Sequence, residues 1–179
     1  MEGLSEWKNL RQTLREMQMW EAERYKAHLK ESDRYATHRL YDSVKAVDSN
    51  IVFTIENGVD TFEIYLQMED YWKYVENDTV PHWPPVGALR EWVQVRRSSL
   101  IQRFANNSKR LPTDKQLEFL VARRISEVGT KGKPDLEMTL SEANKYWKDK
   151  IAEAINKDVG DMAVQITRSL MKPIIPMSK

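Results

Sequence analysis

The chain contains no cysteine. Disulfide staples, cysteine-based zinc sites, iron–sulfur clusters and thiol catalysis are therefore excluded together. Glycine and proline are sparse, 6 and 7 residues in 179, which excludes a collagen-like or low-complexity chain. No apolar run approaches the roughly 18–20 residues that span a bilayer, so no membrane association is expected. The opening segment, MEGLSEWKNLRQ, lacks the basic stretch and apolar core of a secretory signal. The expectation is a soluble protein made in a reducing compartment, or a particle assembled in one. Net charge is almost absent as well: 28 Lys and Arg face 27 Asp and Glu, leaving +1. That balance gives no bulk reason to bind nucleic acid or membrane.

Motifs that carry chemistry are also missing. The three histidines, His28, His38 and His82, have no metal-ligand spacing. There is no phosphate-binding glycine loop, no GxSxG and no HExxH. Glu56, Asp60, Glu63, Glu69 and Asp70 read as the polar outer face of a hairpin rather than an acid–base pair or a magnesium site. No catalytic, metal or cofactor residues are assigned, and the chain is not expected to be an enzyme.

What is present is enough apolar material, 41% of residues, for a single core of the size usual for about 100–200 residues. Charge is patterned rather than absent. Residues 51–85 hold 1 basic and 7 acidic side chains, a net of −6, and residues 86–133 hold 11 basic and 4 acidic, a net of +7. The flanking stretches are each balanced. Adjacent blocks of opposite sign suit two faces that meet different partners, or each other between subunits.

Residues 5–47 contain no glycine or proline and are rich in helix formers. Trp7, Leu10, Leu14 and Met17, then Tyr25 and Leu29, then Ala36, Leu40, Val44 and Val47 recur at spacings of three and four. The all-polar Lys30-Glu31-Ser32-Asp33 divides this stretch into two helices or weakens the centre of one. The period then changes to two. Ile51, Phe53 and Ile55, and Phe62, Ile64, Leu66 and Met68, alternate with polar residues around Asn57-Gly58. This predicts a hairpin with a two-residue turn, Phe53 facing Phe62 and Ile51 facing Ile64.

Tyr71 to Glu76 is expected as a third strand or a short irregular element. A short helix fits residues 86–95, and 96–111 reads as a long loop. Thr113 and Gln116 form a capping box for a helix carrying Leu117, Leu120, Val121, Ile125 and Val128 inward and ended by Gly129. Residues 130–138 read as another loop. Thr139 and Glu142 read as a second capping box, opening a helix that buries Trp147, Ile151, Ile155, Val159, Met162, Ile166 and Leu170 and stops at Pro173. The expected class is α+β, a small antiparallel sheet packed by helices. Its parts are an N-terminal helical arm (1–47), an α+β domain (48–172) and a short tail (173–179).

Tyr71, Trp72, Tyr74, Trp83 and Trp92 crowd a short proline-bearing span, where aromatics serve either the core or an interface. Arg96, Arg97, Arg103, Lys109, Arg110, Arg123 and Arg124 could meet phosphates or an acidic protein partner. Few aromatics accompany them, so no base-stacking platform forms. A nucleic-acid-associated module using 96–133 is the competing reading.

The run Tyr71-Trp72-Lys73-Tyr74-Val75-Glu76, followed by Pro84-Pro85-Val86 and Trp92-Val93, resembles the pattern of head–tail connector proteins of tailed bacteriophages. The run from Gln116 to Ile125, closed by Gly129 and followed by Lys133-Pro134, is similar to a segment of the same neck or tail-completion family. The resemblance covers about residues 50–155, in order. Asn77-Asp78 stands where the family usually has a glycine, and 98–111 is longer and more polar. The resemblance implies a virion subunit, assembled in the host cytoplasm, that forms a homo-oligomeric ring. Its expected partners are itself and the portal, adaptor and tail proteins, with DNA passing the channel without sequence-specific contact. It implies no catalytic residues. On the charge pattern, the 51–85 region of one copy would face the 86–133 region of the next. Interface candidates are Tyr71, Trp72, Tyr74, Trp83, Trp92, Arg96, Arg97, Arg103 and Arg110.

Overall fold

The structure, a computed structural model, describes residues 7–33, 38–56, 59–85, 87–104 and 111–170. In chain order these form α1 (Lys8–Glu31), α2 (Arg39–Ser43), β1 (Lys45–Glu56), β2 (Val59–Gln67), α3 (Trp72–Glu76), α4 (Arg90–Phe104), α5 (Asp114–Val128) and α6 (Asp135–Leu170). The fold is α+β and mostly helical, with a two-stranded antiparallel sheet, β1 beside β2. Packing divides the chain into two units. One comprises Met1–Glu21, Ala46–Leu66 and Leu140–Lys179, the other Ala22–Lys45 and Gln67–Thr139. α1 contributes residues to both.

In the first unit, Leu10 and Leu14 of α1 pack with Ala154 of α6, flanked by Trp7, Phe62, Ile64, Ile151 and Ile155. Phe62 and Ile64 come from one face of β2, where half-buried and exposed residues alternate from Thr61 to Gln67, as a period of two requires. The Trp7 and Phe62 rings meet edge to face at 5.9 Å. Gln18, buried in α1, donates its side-chain amide to the carbonyls of Val47 (3.2 Å) and Tyr65 (2.8 Å). It thereby satisfies one acceptor on each strand.

The start of α1 is completed from far away. Trp7, whose carbonyl accepts from the N–H of Arg11 at 3.0 Å, offers no capping oxygen, and α1 has no acidic residue in its first turn. Asp158 supplies both. Its carboxylate accepts from the backbone N–H of Asn9 (2.9 Å) and of Leu10 (2.8 Å), and from the Asn9 side chain (2.7 Å). Burial alone would push this carboxyl up. The N–H groups of Leu10 and Asn9, the Asn9 amide and nearby Lys157 outweigh it and hold the group below the usual carboxylate range.

In the second unit a buried carboxylate has the same role for α6. Glu76, at the end of α3, accepts from the Tyr25 hydroxyl (2.8 Å) and from the backbone N–H of Leu136 (2.8 Å) in the first turn of α6. Beside it, Ser32 donates to Asp135 at 2.6 Å. Tyr25 is fully buried, and that burial, with Glu76 next to it, drives its hydroxyl pKa far up. The loop before α6 lies against the chain after α3. Thr79 and Thr130 form an antiparallel bridge, and the N–H of Gly132 donates to Asp78 at 2.9 Å. Gly129 has φ +71°, and a Cβ there would overlap the Thr79 carbonyl oxygen. Glycine is required on both counts.

Several expectations need correction. Tyr71–Glu76 contributes no third strand: Trp72–Glu76 is helical, because Glu76 must turn inward to Tyr25 and Leu136. β1 begins at Lys45, inside the stretch 1–47 expected to be helical. Residues 96–104 continue α4 instead of starting a loop. The helix opens at Asp135, and Thr139 lies inside it, bonded to the Asp135 carbonyl at 2.8 Å, so Thr139 and Glu142 are not its cap. Val128, Val159 and Ile166 are exposed, and Ala143, Trp147, Ala154 and Asp158 form the buried stripe of α6. The predicted turn Asn57-Gly58, the side chains of Ile51 and Phe53, the side chain of Leu170, and Pro173 lie outside the described residues.

Gly129→Ala is expected to destabilise by about 3 kcal/mol or more, from backbone strain and overlap combined, read from denaturant unfolding. A cost below 1 kcal/mol would show that the close approach to Thr79 is dispensable. Glu21, 4% exposed, gives a second test. Burial pushes its carboxyl up to about 7 from an ordinary 4.5. Between those values the folded state holds the proton more tightly than the unfolded chain. Stability is therefore full below pH 4.5 and falls as pH rises, by about 3 kcal/mol once pH exceeds 7. The melting temperature should drop from pH 5 to pH 8 in the native sequence and stay nearly level in Glu21→Gln. An equal drop in both would exclude Glu21 as the cause.

Candidate interaction surface

The sequence candidates among the described residues all belong to the second unit, and they separate by burial. Tyr71, Trp72 and Trp92 are half-buried. The Arg39 guanidinium lies 5.9 Å from the Tyr71 ring centre, and Lys73 lies 5.9 Å from that of Trp72. Trp92 packs against the cluster of Val93, Leu100 and Leu117 that joins α4 to α5. These three aromatics are held within the fold. Tyr74, 68% exposed, and Trp83, 54% exposed, are not. The Trp83 ring lies 5.9 Å from a similarly exposed ring, Phe119.

The arginines also separate. Arg97 pairs with Asp114 at 2.9 Å, Arg123 with Glu127 at 2.9 Å, and Arg90 lies 3.8 Å from Glu118. Arg96 binds the carboxylate of Asp33 and, at 2.7 Å, its carbonyl. That guanidinium holds the Asp33 carboxyl below its usual range. Asp33 ends the turn after α1 with φ +59°, a conformation that aspartate tolerates better than most residues. Arg103 and Arg124 are exposed and meet no carboxylate among the described residues. Arg110 lies outside the described residues.

Those two arginines border a groove between α4 and α5. Its larger lobe, about 520 Å³, has an apolar floor of Leu89, Trp92, Leu100, Val121 and Ile125, with Asp33, Arg96 and Arg103 around it. A smaller lobe of about 170 Å³ adds Phe104 and Arg124. The groove follows from local sequence. Val93, Leu100 and Phe104 continue one helical face past the point where the polar Ser98-Ser99 suggests a loop. Spacing alone could have found it; the serines and the basic residues obscured it.

The acidic block is divided between the two units. Glu63 belongs to the first unit, while Glu69, Asp70, Glu76 and Asp78 belong to the second. Glu76 is buried and bonded, and Asp78 binds the Gly132 N–H. On β2, Tyr65 donates to Glu63, which raises the Tyr65 pKa. Among the described residues, no group of three or more acidic, histidine or cysteine side chains could hold a metal ion. No family model, curated protein or solved structure matches this chain.

Leu100→Ala should cost about 2–5 kcal/mol, as for a buried leucine, whereas Arg97→Ala should cost no more than about 1 kcal/mol, its ion pair being surface-exposed. Urea unfolding of the two variants checks this. A negligible cost for Leu100→Ala would return the 96–104 stretch to a loop.

Proposed function

We propose that this chain is a structural subunit of a phage virion neck. It forms an oligomeric ring between portal and tail and completes head–tail joining. The observation that carries this reading is the ordered motif series from Tyr71-Trp72-Lys73-Tyr74-Val75-Glu76 through Pro84-Pro85 and Trp92-Val93 to the run closed by Gly129. The surface chemistry is consistent with a protein partner. Exposed Tyr74 and Trp83 are residue types that anchor protein interfaces. Arg90, Arg96, Arg97 and Arg123 already have carboxylate neighbours, which favours protein docking over a phosphate-binding stripe. The subunit's neighbours in the virion are further copies of itself and the portal, adaptor and tail proteins.

Mass measurement of the purified chain across concentration, with negative-stain imaging of the largest species, is the test. Closed rings of uniform size are expected, and rising salt should weaken them if the charged blocks meet. A chain that stays monomeric at every concentration and never enters particles would sink the proposal.

A further inference from the structure

Two features of the second unit are complementary in charge and each carries exposed apolar or aromatic surface. One is the α4–α5 groove, with an apolar floor and two cations, Arg103 and Arg124, that meet no carboxylate among the described residues. The other is the segment from Glu69 to Tyr74. Asp70 is exposed and meets no cation among the described residues, and Tyr74 is the most exposed tyrosine described. The segment's one cation, Lys73, lies over the Trp72 ring.

This segment is held firmly. The Glu69 N–H donates to Ser43 at 3.0 Å, that of Trp72 to Glu69 at 3.1 Å, that of Tyr74 to Tyr71 at 3.0 Å, and that of Asn77 to Lys73 at 3.0 Å. Buried Glu76 fixes its far end. A fixed backbone carrying one exposed ring beside one exposed carboxylate loses little conformational freedom on docking.

We infer that the α4–α5 groove receives the Glu69–Tyr74 segment of a second copy of this chain, with Tyr74 on the apolar floor and Asp70 facing Arg103 and Arg124. The inference rests on the ring reading above, and it names the contact. A groove of about 520 Å³ is within the range of sites that take a large aromatic group. Tyrosine and arginine are the residue types that dominate such contacts. The two patches use different residues, so the contact is heterologous. Each copy donates one segment and accepts another, which closes into a ring when the rotation allows. The excess of cations at the groove and of carboxylate at the segment also explains how a nearly neutral chain can attract itself.

The test uses the full chain and two double variants. Asp70→Lys with Tyr74→Ala disables the segment, and Arg103→Glu with Arg124→Glu disables the groove. All four side chains are exposed, so both variants should keep the native circular dichroism and melting temperature. If the groove variant loses either, Arg103→Gln with Arg124→Gln replaces it. Sedimentation should show that each variant alone needs at least about tenfold more protein to associate than the native chain. Mixed in equal amounts, they retain one intact contact, segment to groove, and should give a 1:1 dimer and nothing larger. If the native chain assembles and both variants assemble as well as it does, the docking is wrong while the ring reading stands. Variants that stay monomeric even when mixed would also overturn the docking. A native chain that never associates would remove both.

Discussion

The N–H groups that open a long helix need acceptors, and in this chain the two longest helices take theirs from buried carboxylates distant in sequence. Asp158, deep in α6, closes the start of α1, and Glu76, at the end of a five-residue helix, closes the start of α6. Unmet donors in these buried places would each cost about 1–3 kcal/mol, and an unmet carboxylate would cost more. Donor and acceptor therefore hold each other in place. Tyr25, Ser32 and Asp135 extend the Glu76 arrangement, and Gln18 treats the strand carbonyls in the same way. The polar residues inside this protein are where its elements are fixed to one another.

The closeness required by these bonds propagates outward. For Glu76 to reach both Tyr25 and Leu136, the chain after α3 has to lie against the loop before α6, and Gly129 and Gly132 leave the room for it. The same anchoring holds the segment before Glu76, so that Tyr74 is presented on firm backbone. On α4 and α5, intrachain ion pairs neutralise most arginines and leave Arg103 and Arg124 beside the apolar groove. Surface pairs of this kind add little stability, but they decide which cations remain for a partner.

Much of the secondary structure was legible. The capping box of Thr113 and Gln116 is present as read, with Gly129 ending the helix. The polar stretch after Lys30 does end α1, and the period-two run from Thr61 to Gln67 is a strand with alternating burial. These signals are local, so one stretch of sequence contains them whole. The candidate site was legible only in its residue types. Trp92 belongs to a core cluster, Arg96 and Arg97 are paired, and Arg124 lies at the groove although it drew no more notice than its neighbours.

The helix at Trp72–Glu76, the start of α6 at Asp135 and the cap of α1 by Asp158 were decided by tertiary structure alone. Tyr-Trp-Lys-Tyr-Val has residues that suit a strand, and it became helical where a buried carboxylate had to face a tyrosine 51 residues away. Thr139 with Glu142 matched a capping pattern, yet Glu76 supplies an acceptor one turn earlier. Composition and spacing determined which stretches could be helix or strand, because those preferences act within a few residues. Which carboxylate completes which helix, and which arginine is left unpaired, depends on groups that only the folded chain brings within about 3 Å of each other.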